Sequence, residues 1–129
     1  MSEVPLIEIS KISKYFAKVI ANQDVSFKIH KGEVLCLLGE NGAGKSTIMK
    51  ILYGLYKADG GSILVDGEEQ EINSPKDAIT LGIAMIQQHF SLVQAHTVTE
   101  NIILGNVHGR YNIEHYNKVV AELSTRYGF

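Results

Sequence analysis

Three patterns in the first forty residues predict β-strands. Residues 25–29 alternate apolar and polar side chains, and this period of two predicts a strand with one face toward the core. Residues 7–9 alternate in the same way over a shorter length and predict an edge strand. Residues 34–38 are apolar at every position, which is typical of a strand that is covered on both faces in a parallel sheet.

The rest of the chain alternates signals for helices, strands and turns. Residues 45–53 predict a helix, residues 63–65 and 83–86 predict two more strands, and Asp66-Gly67 predicts the turn of a hairpin. Strands interleaved with helices predict an α/β fold. We expect a core of mostly parallel strands with helices, and an antiparallel β subdomain near the N-terminus.

Three later segments begin with residues that cap helices. Ser74 precedes Pro75 at the first helical position, Thr97 and Glu100 form a capping-box pattern, and Asn112 precedes an apolar stripe at helical spacing. These patterns predict helices that start just after each capping residue.

The composition is that of an ordinary globular protein and excludes several functional classes. The chain has 129 residues, 45% of them apolar, and a formal net charge of −2, which argues against nucleic acid as a partner. Its longest apolar run is five residues, too short to span a bilayer. The N-terminus has no signal-peptide pattern, so we expect a cytoplasmic protein. The single cysteine, Cys36, lies among aliphatic residues, where we expect it to be buried.

A phosphate-loop pattern, G-x-x-x-x-G-K-[ST], follows the apolar run without mismatch. Its residues are Gly39, Glu40, Asn41, Gly42, Ala43, Gly44, Lys45 and Ser46. A helix N-terminus offers an anion unpaired N–H groups and the positive end of a dipole, and glycines let the backbone turn closely around phosphates. The alternative interpretation is a chance glycine-rich turn between a strand and a helix.

Two side chains at the end of this pattern have the chemistry that a nucleotide requires. Lys45 is expected to reach the β- and γ-phosphates, and the Ser46 hydroxyl is placed to ligate Mg²⁺. The pattern alone does not separate kinases, G-proteins and transport ATPases. A G-protein should also show D-x-x-G and N-K-x-D, and the sequence contains neither. Small P-loop kinases usually have the loop closer to the N-terminus.

The loop and the segments around it resemble the ATP-binding subunit of an ABC transporter. The segments that carry the resemblance are residues 25–27, 31–33, 39–47, 61–63, 73–78, 82–90 and 97–102. The last three are similar to the class that imports simple sugars and nucleosides. Within that class, Gln88-His89-Phe90 favours the nucleoside branch.

The resemblance implies roles for particular residues. Phe16 matches the aromatic residue that stacks on adenine, with Tyr15 as the alternative; two core aromatics near a strand end are the non-functional interpretation. Thr47 would add contacts to the α-phosphate. Gln88 matches the glutamine that touches Mg²⁺ and the attacking water, with Gln87 as the neighbouring candidate. Lys45 and Gln88 are therefore the candidates for catalytic roles.

The resemblance also bears on residues 89–96, a region that faces the membrane permease in this family. Phe90, Leu92 and Val93 would be exposed there if they dock against the permease, and buried if they pack in the core. Asp66 ends an apolar strand, as the Mg²⁺-binding acid of P-loop ATPases does, but Asp66-Gly67 is predicted to be a turn instead. The five histidines show no close metal-ligand spacing.

The resemblance implies that residues 1–129 are the N-terminal part of one nucleotide-binding domain. The family's signature sequence, its Walker B acid and its switch histidine would follow Phe129. We therefore expect a subunit at the cytoplasmic side of the cell membrane that binds ATP and Mg²⁺ and couples hydrolysis to import. The 129-residue piece alone is predicted to be inactive.

The expected partners are a second ATP-binding domain, transmembrane permease subunits and, indirectly, a substrate-binding protein. The alternatives are a soluble ABC-type ATPase without a permease, a P-loop kinase, and a module that only binds nucleotide.

Overall fold

The computed structural model describes residues 4–89, 92–105, 107 and 111–129. In this part of the chain there are four strands and four helices. They belong to two compact units, Met1–Ile86 and Gln87–Phe129. The first unit contains all four of these strands and two of the helices, and the second contains the other two helices.

The first unit is built on an antiparallel sheet. Its strands are β1 (Ile7–Phe16), β2 (Val19–Ile29), β3 (Gly60–Val65) and β4 (Glu68–Gln70), in the order β2-β1-β3-β4. The predicted antiparallel subdomain is therefore confirmed. β1 lies between β2 and β3, so the prediction of a short edge strand at residues 7–9 is wrong. A register shift between Ile9 and Ile12, where Lys11 has a φ of 50°, breaks the alternation that would have revealed the longer strand.

The β3–β4 hairpin closes on the predicted turn. Asp66 and Gly67 have φ of 52° and 82°, and a type I′ turn requires positive φ at both central residues. Across the hairpin Val65 pairs with Glu68, and the backbone N–H of Asp66 donates to the carbonyl of Leu6.

The helix predicted at residues 45–53 is present as α1 (Lys45–Leu52), and it packs against this sheet. Its Ile48 and Ile51 are buried and share one core with Ile9, Ile12 and Ile63 of the strands. The second helix of the unit, α2 (Pro75–Thr80), starts at the predicted cap, because the Ser74 side chain accepts a hydrogen bond from the backbone N–H of Asp77.

The two fully apolar segments do not form strands. Residues 34–38 and 83–86 have no ladder with any described segment, and the sheet that the structure describes is antiparallel throughout. Val34, Leu38 and Ile86 are 90%, 92% and 96% exposed, and Cys36 is exposed as well. The predictions of two buried strands and a buried cysteine are wrong here. A parallel strand is held by hydrogen bonds from its neighbours, and none of the described segments provides them.

The second unit contains α3 (Val98–Ile103) and α4 (Ile113–Tyr127). The predicted capping box of Thr97 and Glu100 starts α3, and the Asn112 side chain caps α4 by accepting from the backbone N–H of His115. None of the described helices combines the length and the apolar character that crossing a bilayer takes.

Candidate functional site

Helix α1 begins differently from the other described helices. Its N-cap is Gly44, with φ 79° and ψ 1°, no side chain caps it, and its first turn contains no acidic residue. Helices α2, α3 and α4 each have a side-chain cap and an acidic residue in the first turn. The first N–H groups of α1 therefore have no side-chain acceptor, and no carboxylate in the first turn offsets the helix dipole.

The backbone before α1 needs glycine at two positions for different reasons. Gly42 has a φ of 89°, and a Cβ there would meet nothing within 4 Å, so only the conformation requires glycine. Gly44 has a φ of 79°, and a Cβ there would lie 2.2 Å from the backbone oxygen of Ala21. Gly44 is thus fixed both by its conformation and by the close approach of β2.

The Lys45 ammonium lies at the mouth of this loop. Its Nζ donates to the backbone oxygens of Gly39 at 2.6 Å and of Glu40 at 2.7 Å. These charge-assisted hydrogen bonds hold the side chain folded back over the residues that precede it. An ammonium has three N–H donors, so about one remains for a further acceptor.

The other residues of the predicted phosphate loop line its exposed side. Glu40, Asn41 and Ser46 are exposed, and Thr47, the third residue of α1, is partly buried. Ala43 donates its backbone N–H to the carbonyl of Glu40 at 3.2 Å, which closes the turn. Among the described residues no group of three or more His, Cys, Asp or Glu could hold a metal ion.

One buried side chain against the loop was not predicted from the sequence. Asn22 of β2 is only 6% exposed, and its Nδ2 donates to the carbonyl of Gly44 at 3.3 Å. Its Oδ1 is buried and has no hydrogen-bond partner in the part of the chain that the structure describes. The alternation of apolar and polar residues in a strand does not distinguish asparagine from any other polar residue. The sequence therefore contained no signal for this contact.

Phe16 and Tyr15 lie at the end of β1, and both are exposed rather than buried in the core. Phe16 is 39% exposed and Tyr15 is 46% exposed. The Phe16 ring packs edge to face against Tyr56, with 5.3 Å between the ring centroids and 71° between the planes. No pattern in the sequence distinguishes Tyr56 as a neighbour of Phe16.

Asp59 fixes the same end of β1. Its carboxylate accepts from the backbone N–H of Tyr15 at 2.7 Å and from Lys14 Nζ at 3.0 Å, and its own N–H donates to the carbonyl of Ser13. The hydrogen bond from Tyr15, followed by the one from Lys14, lowers the pKa of Asp59. This carboxylate is therefore charged. Asp59 is hydrogen-bonded to Ser13, Lys14 and Tyr15 at this end of β1.

The predicted glutamines belong to the second unit. Gln87 and Gln88 follow directly after Ile86, and both are exposed. Leu92 and Val93 are exposed as well, which agrees with the docking interpretation and not with core packing, whereas Phe90 lies outside the described residues.

Comparisons with known proteins agree with this geometry. A model of the family described as ABC transporter matches residues 22–129. Over 95% of its length the chain is 48% identical to the guanosine import ATP-binding protein NupO of Bacillus subtilis. It is also 48% identical, over 95% of its length, to the ribose import ATP-binding protein RbsA 1 of Streptomyces avermitilis. The two identities are equal and so do not distinguish a nucleoside importer from a ribose importer.

A solved structure shows the same likeness in three dimensions. The chain superposes on a nucleotide-free ATP-binding cassette from an ABC transporter with a TM-score of 0.73 and 28% identity, over 87% of its own length and 44% of that chain. It spans only about a quarter of the length of the two curated relatives, 25% and 24%.

Proposed function

We propose, since this chain belongs to the ABC transporter family, that it is part of the ATP-binding subunit of an import system and that residues 39–47 hold the triphosphate of ATP. The observation that carries the proposal is the beginning of α1. Backbone N–H groups without a capping side chain lie there next to the Lys45 ammonium, which is held by two carbonyl oxygens. Phosphate oxygens are stronger acceptors than these carbonyls and can replace them as partners of Lys45.

The same site would hold Mg²⁺ together with the nucleotide. Mg²⁺ is usually bound through one or two protein ligands, phosphate oxygens and water, which fits the exposed Ser46 hydroxyl beside a phosphate loop. Gln88, or alternatively Gln87, would contribute an amide oxygen and orient the attacking water. When bound, the ion neutralises charge on the phosphoryl group that is transferred to water.

Phe16 is our candidate for the residue that stacks on adenine. Its ring is partly exposed at the end of a strand and is oriented by contact with Tyr56. Tyr15 remains the alternative, because it is also exposed at this strand end.

We assign residues 1–129 to the N-terminal part of one nucleotide-binding domain. The chain spans 44% of the solved cassette, and two apolar segments, residues 34–38 and 83–86, have no partner strand among the described residues. The signature sequence, the Walker B acid and the switch histidine would belong to the rest of that domain. We therefore expect no ATP turnover from the 129-residue piece alone.

In the whole transporter, two ATP-binding domains would close on ATP and Mg²⁺ and reopen after hydrolysis. Transmembrane permease subunits would follow that motion, with the ATP-binding subunit at the cytoplasmic face of the membrane and a substrate-binding protein acting indirectly. The cargo would be a nucleoside or a simple sugar, because the relatives are named for guanosine and ribose import. The permease and the binding protein would select between them.

ATP-driven uptake tests this function. The full-length polypeptide that contains this sequence is reconstituted with its permease in vesicles, and guanosine and ribose are offered in separate assays. Lys45→Ala should reduce uptake of the transported compound by about 100-fold or more, because it removes the cation at the phosphates. Lys76→Ala, a lysine in the first turn of α2, is the matched control and should leave uptake unchanged.

Two outcomes would contradict the proposal. Uptake by Lys45→Ala at the wild-type rate would show that the loop does not hold the nucleotide that drives transport. Phosphate transfer that requires an added acceptor, with no release of inorganic phosphate to water, would favour a kinase instead.

A further inference from the structure

Tyr56 is in direct contact with the aromatic residue at the end of β1. Its ring meets Phe16 edge to face, and the Lys50 ammonium lies 5.3 Å from the Tyr56 ring centroid. The backbone N–H of Tyr56 donates to the carbonyl of Lys50 at 3.2 Å, so the residue is anchored to the last turn of α1. The last turn of the helix that begins at the phosphate loop therefore holds the residue that contacts Phe16.

A second set of contacts fixes the strand that carries Phe16. The Asp59 carboxylate binds the backbone N–H of Tyr15 and the Lys14 ammonium, and that ammonium lies 5.4 Å from the Phe16 ring centroid. Phe16 thus has a cation over its ring and an aromatic edge beside it, yet 39% of the residue stays exposed. These two contacts orient the ring, and part of its surface is still accessible.

We infer that Tyr56 is a positioning residue for the nucleobase, which holds the Phe16 ring in the orientation that stacks on adenine, while Asp59 and Lys14 fix the backbone beneath it. This inference rests on the proposed function. An exposed phenylalanine on an unsupported strand end loses rotamer freedom when it stacks on a base, and this loss weakens binding. Contact with Tyr56 removes that freedom in advance, so more of the stacking free energy appears as affinity.

The inference separates the two ends of the nucleotide. Tyr56 should affect only ligands that have a base, since it acts through Phe16 and not through the phosphate loop. Magnesium tripolyphosphate has the phosphate chain of ATP without the base, so it reports on the loop alone.

Calorimetric titration of the full-length polypeptide with MgATP and with magnesium tripolyphosphate tests this. Tyr56 packs partly against the core, so Tyr56→Leu, which keeps apolar volume, is preferred to an alanine variant. Aromatic pairs contribute enough for Tyr56→Leu to weaken MgATP binding by about three- to tenfold. Tripolyphosphate binding should stay within about twofold of wild type, because the loop is untouched. Tyr56→Phe keeps the ring edge and should restore MgATP affinity.

Matched variants separate positioning from general damage to the fold. Tyr53→Leu changes a tyrosine at the end of the same helix that also packs against the core, and it should not alter MgATP affinity. Phe16→Ala should weaken MgATP more than Tyr56→Leu does. The double variant should bind like Phe16→Ala, because Tyr56 has nothing left to position.

The results that overturn the inference are distinct from those that overturn the proposed function. MgATP binding that depends on Lys45 but is unchanged in Tyr56→Leu refutes the role of Tyr56 and leaves the phosphate loop in place. The role of Tyr56 is also refuted if Tyr56→Leu weakens tripolyphosphate binding as much as it weakens MgATP binding. It is refuted as well if the losses of MgATP affinity in Tyr56→Leu and Phe16→Ala add up in the double variant. Absence of MgATP binding that depends on Lys45 refutes the proposed function, and the role of Tyr56 with it.

Discussion

The helices α1 and α3 begin in opposite ways. At α3 the Thr97 side chain accepts from the backbone N–H of Glu100, and the Glu100 carboxylate accepts from the backbone N–H of Thr97 at 2.7 Å. At α1 a glycine in a left-handed conformation occupies the cap position, and a lysine follows it. Two backbone donors at the start of α3 are thus satisfied by side chains of the helix start itself, whereas no side chain accepts from the first N–H groups of α1.

This difference separates a structural helix start from one suited to a ligand. A side-chain cap stabilises a helix by about 1 kcal/mol, and a carboxylate in the first turn adds a favourable interaction with the dipole. Helix α1 has neither, although the chain caps α2 and α4 with Ser74 and Asn112. An acceptor from outside, such as phosphate, would supply both the hydrogen bonds and the negative charge.

Replacing the glycine cap of α1 should have the largest effect. Gly44→Ala puts a Cβ 2.2 Å from the Ala21 backbone oxygen at a φ of 79°, so both the strand and the helix start must move. We expect a loss of about 2–5 kcal/mol in the free energy of unfolding, from left-handed strain plus overpacking. Urea denaturation of the full-length protein measures it.

Gly42→Ala is the control for this experiment. It has a similar φ of 89° but open space around the added Cβ, so only the strain of about 1–2 kcal/mol should remain. Equal losses at the two positions would mean that the contact with β2 is unimportant.

An acid in the first turn of α1 should make it resemble α3 and weaken nucleotide binding. Thr47 is the third residue of α1 and corresponds to Glu100 in α3. Thr47→Glu should lower MgATP affinity by about 30-fold or more relative to Thr47→Gln, because a carboxylate near a phosphate costs about 2 kcal/mol or more. The two variants have the same shape, so equal affinities measured by calorimetry would argue against phosphate at this helix start.

Removing the charge of Glu100 at the start of α3 should have the smallest effect on stability. The effect should be confined to this helix start. Hydrogen bonds from the backbone and side chain of Thr97 lower the pKa of Glu100 in the folded protein. The resulting stabilisation is fully present above the unfolded pKa of about 4.3 and is lost as the pH falls through the lower folded pKa.

Amide hydrogen exchange at Glu100 and Asn101 measures this effect. In the wild-type protein, the protection of these amides should decrease as the pH is lowered. In Glu100→Gln, it should be independent of the pH. A loss of protection on acidification that is the same in both proteins would show that another group is responsible.

Local signals in the sequence predicted helix starts and turns, whereas strand pairing was not predictable from hydrophobicity alone. Thr97 and Glu100 are three residues apart, and their contact depends on little else. Residues 63–65 and 34–38 are both apolar, yet only the first segment is paired: Ile63 and Val65 are buried between β1 and β4, and Val34 is exposed. A strand is defined by its partners, and a run of apolar residues does not identify them.

The candidate site likewise has a part that the sequence predicted and a part that it did not. The phosphate loop was recognisable because its glycines, Lys45 and Ser46 have a fixed spacing along the chain. Asn22 contacts Gly44 across a separation of 22 positions in the chain, and Tyr56 contacts Phe16 across a separation of 40 positions. No local sequence pattern indicates either contact. These contacts depend on how β1, β2 and α1 pack together.

Calorimetric titration of MgATP into the full-length polypeptide tests most directly whether the start of α1 binds a triphosphate. The wild-type protein and the Lys76→Ala control should bind with equal affinity, and Lys45→Ala should lose at least about tenfold, because a charge-assisted contact to phosphate is removed. Equal affinity of Lys45→Ala and wild type, or no binding by the wild-type protein, would contradict the account.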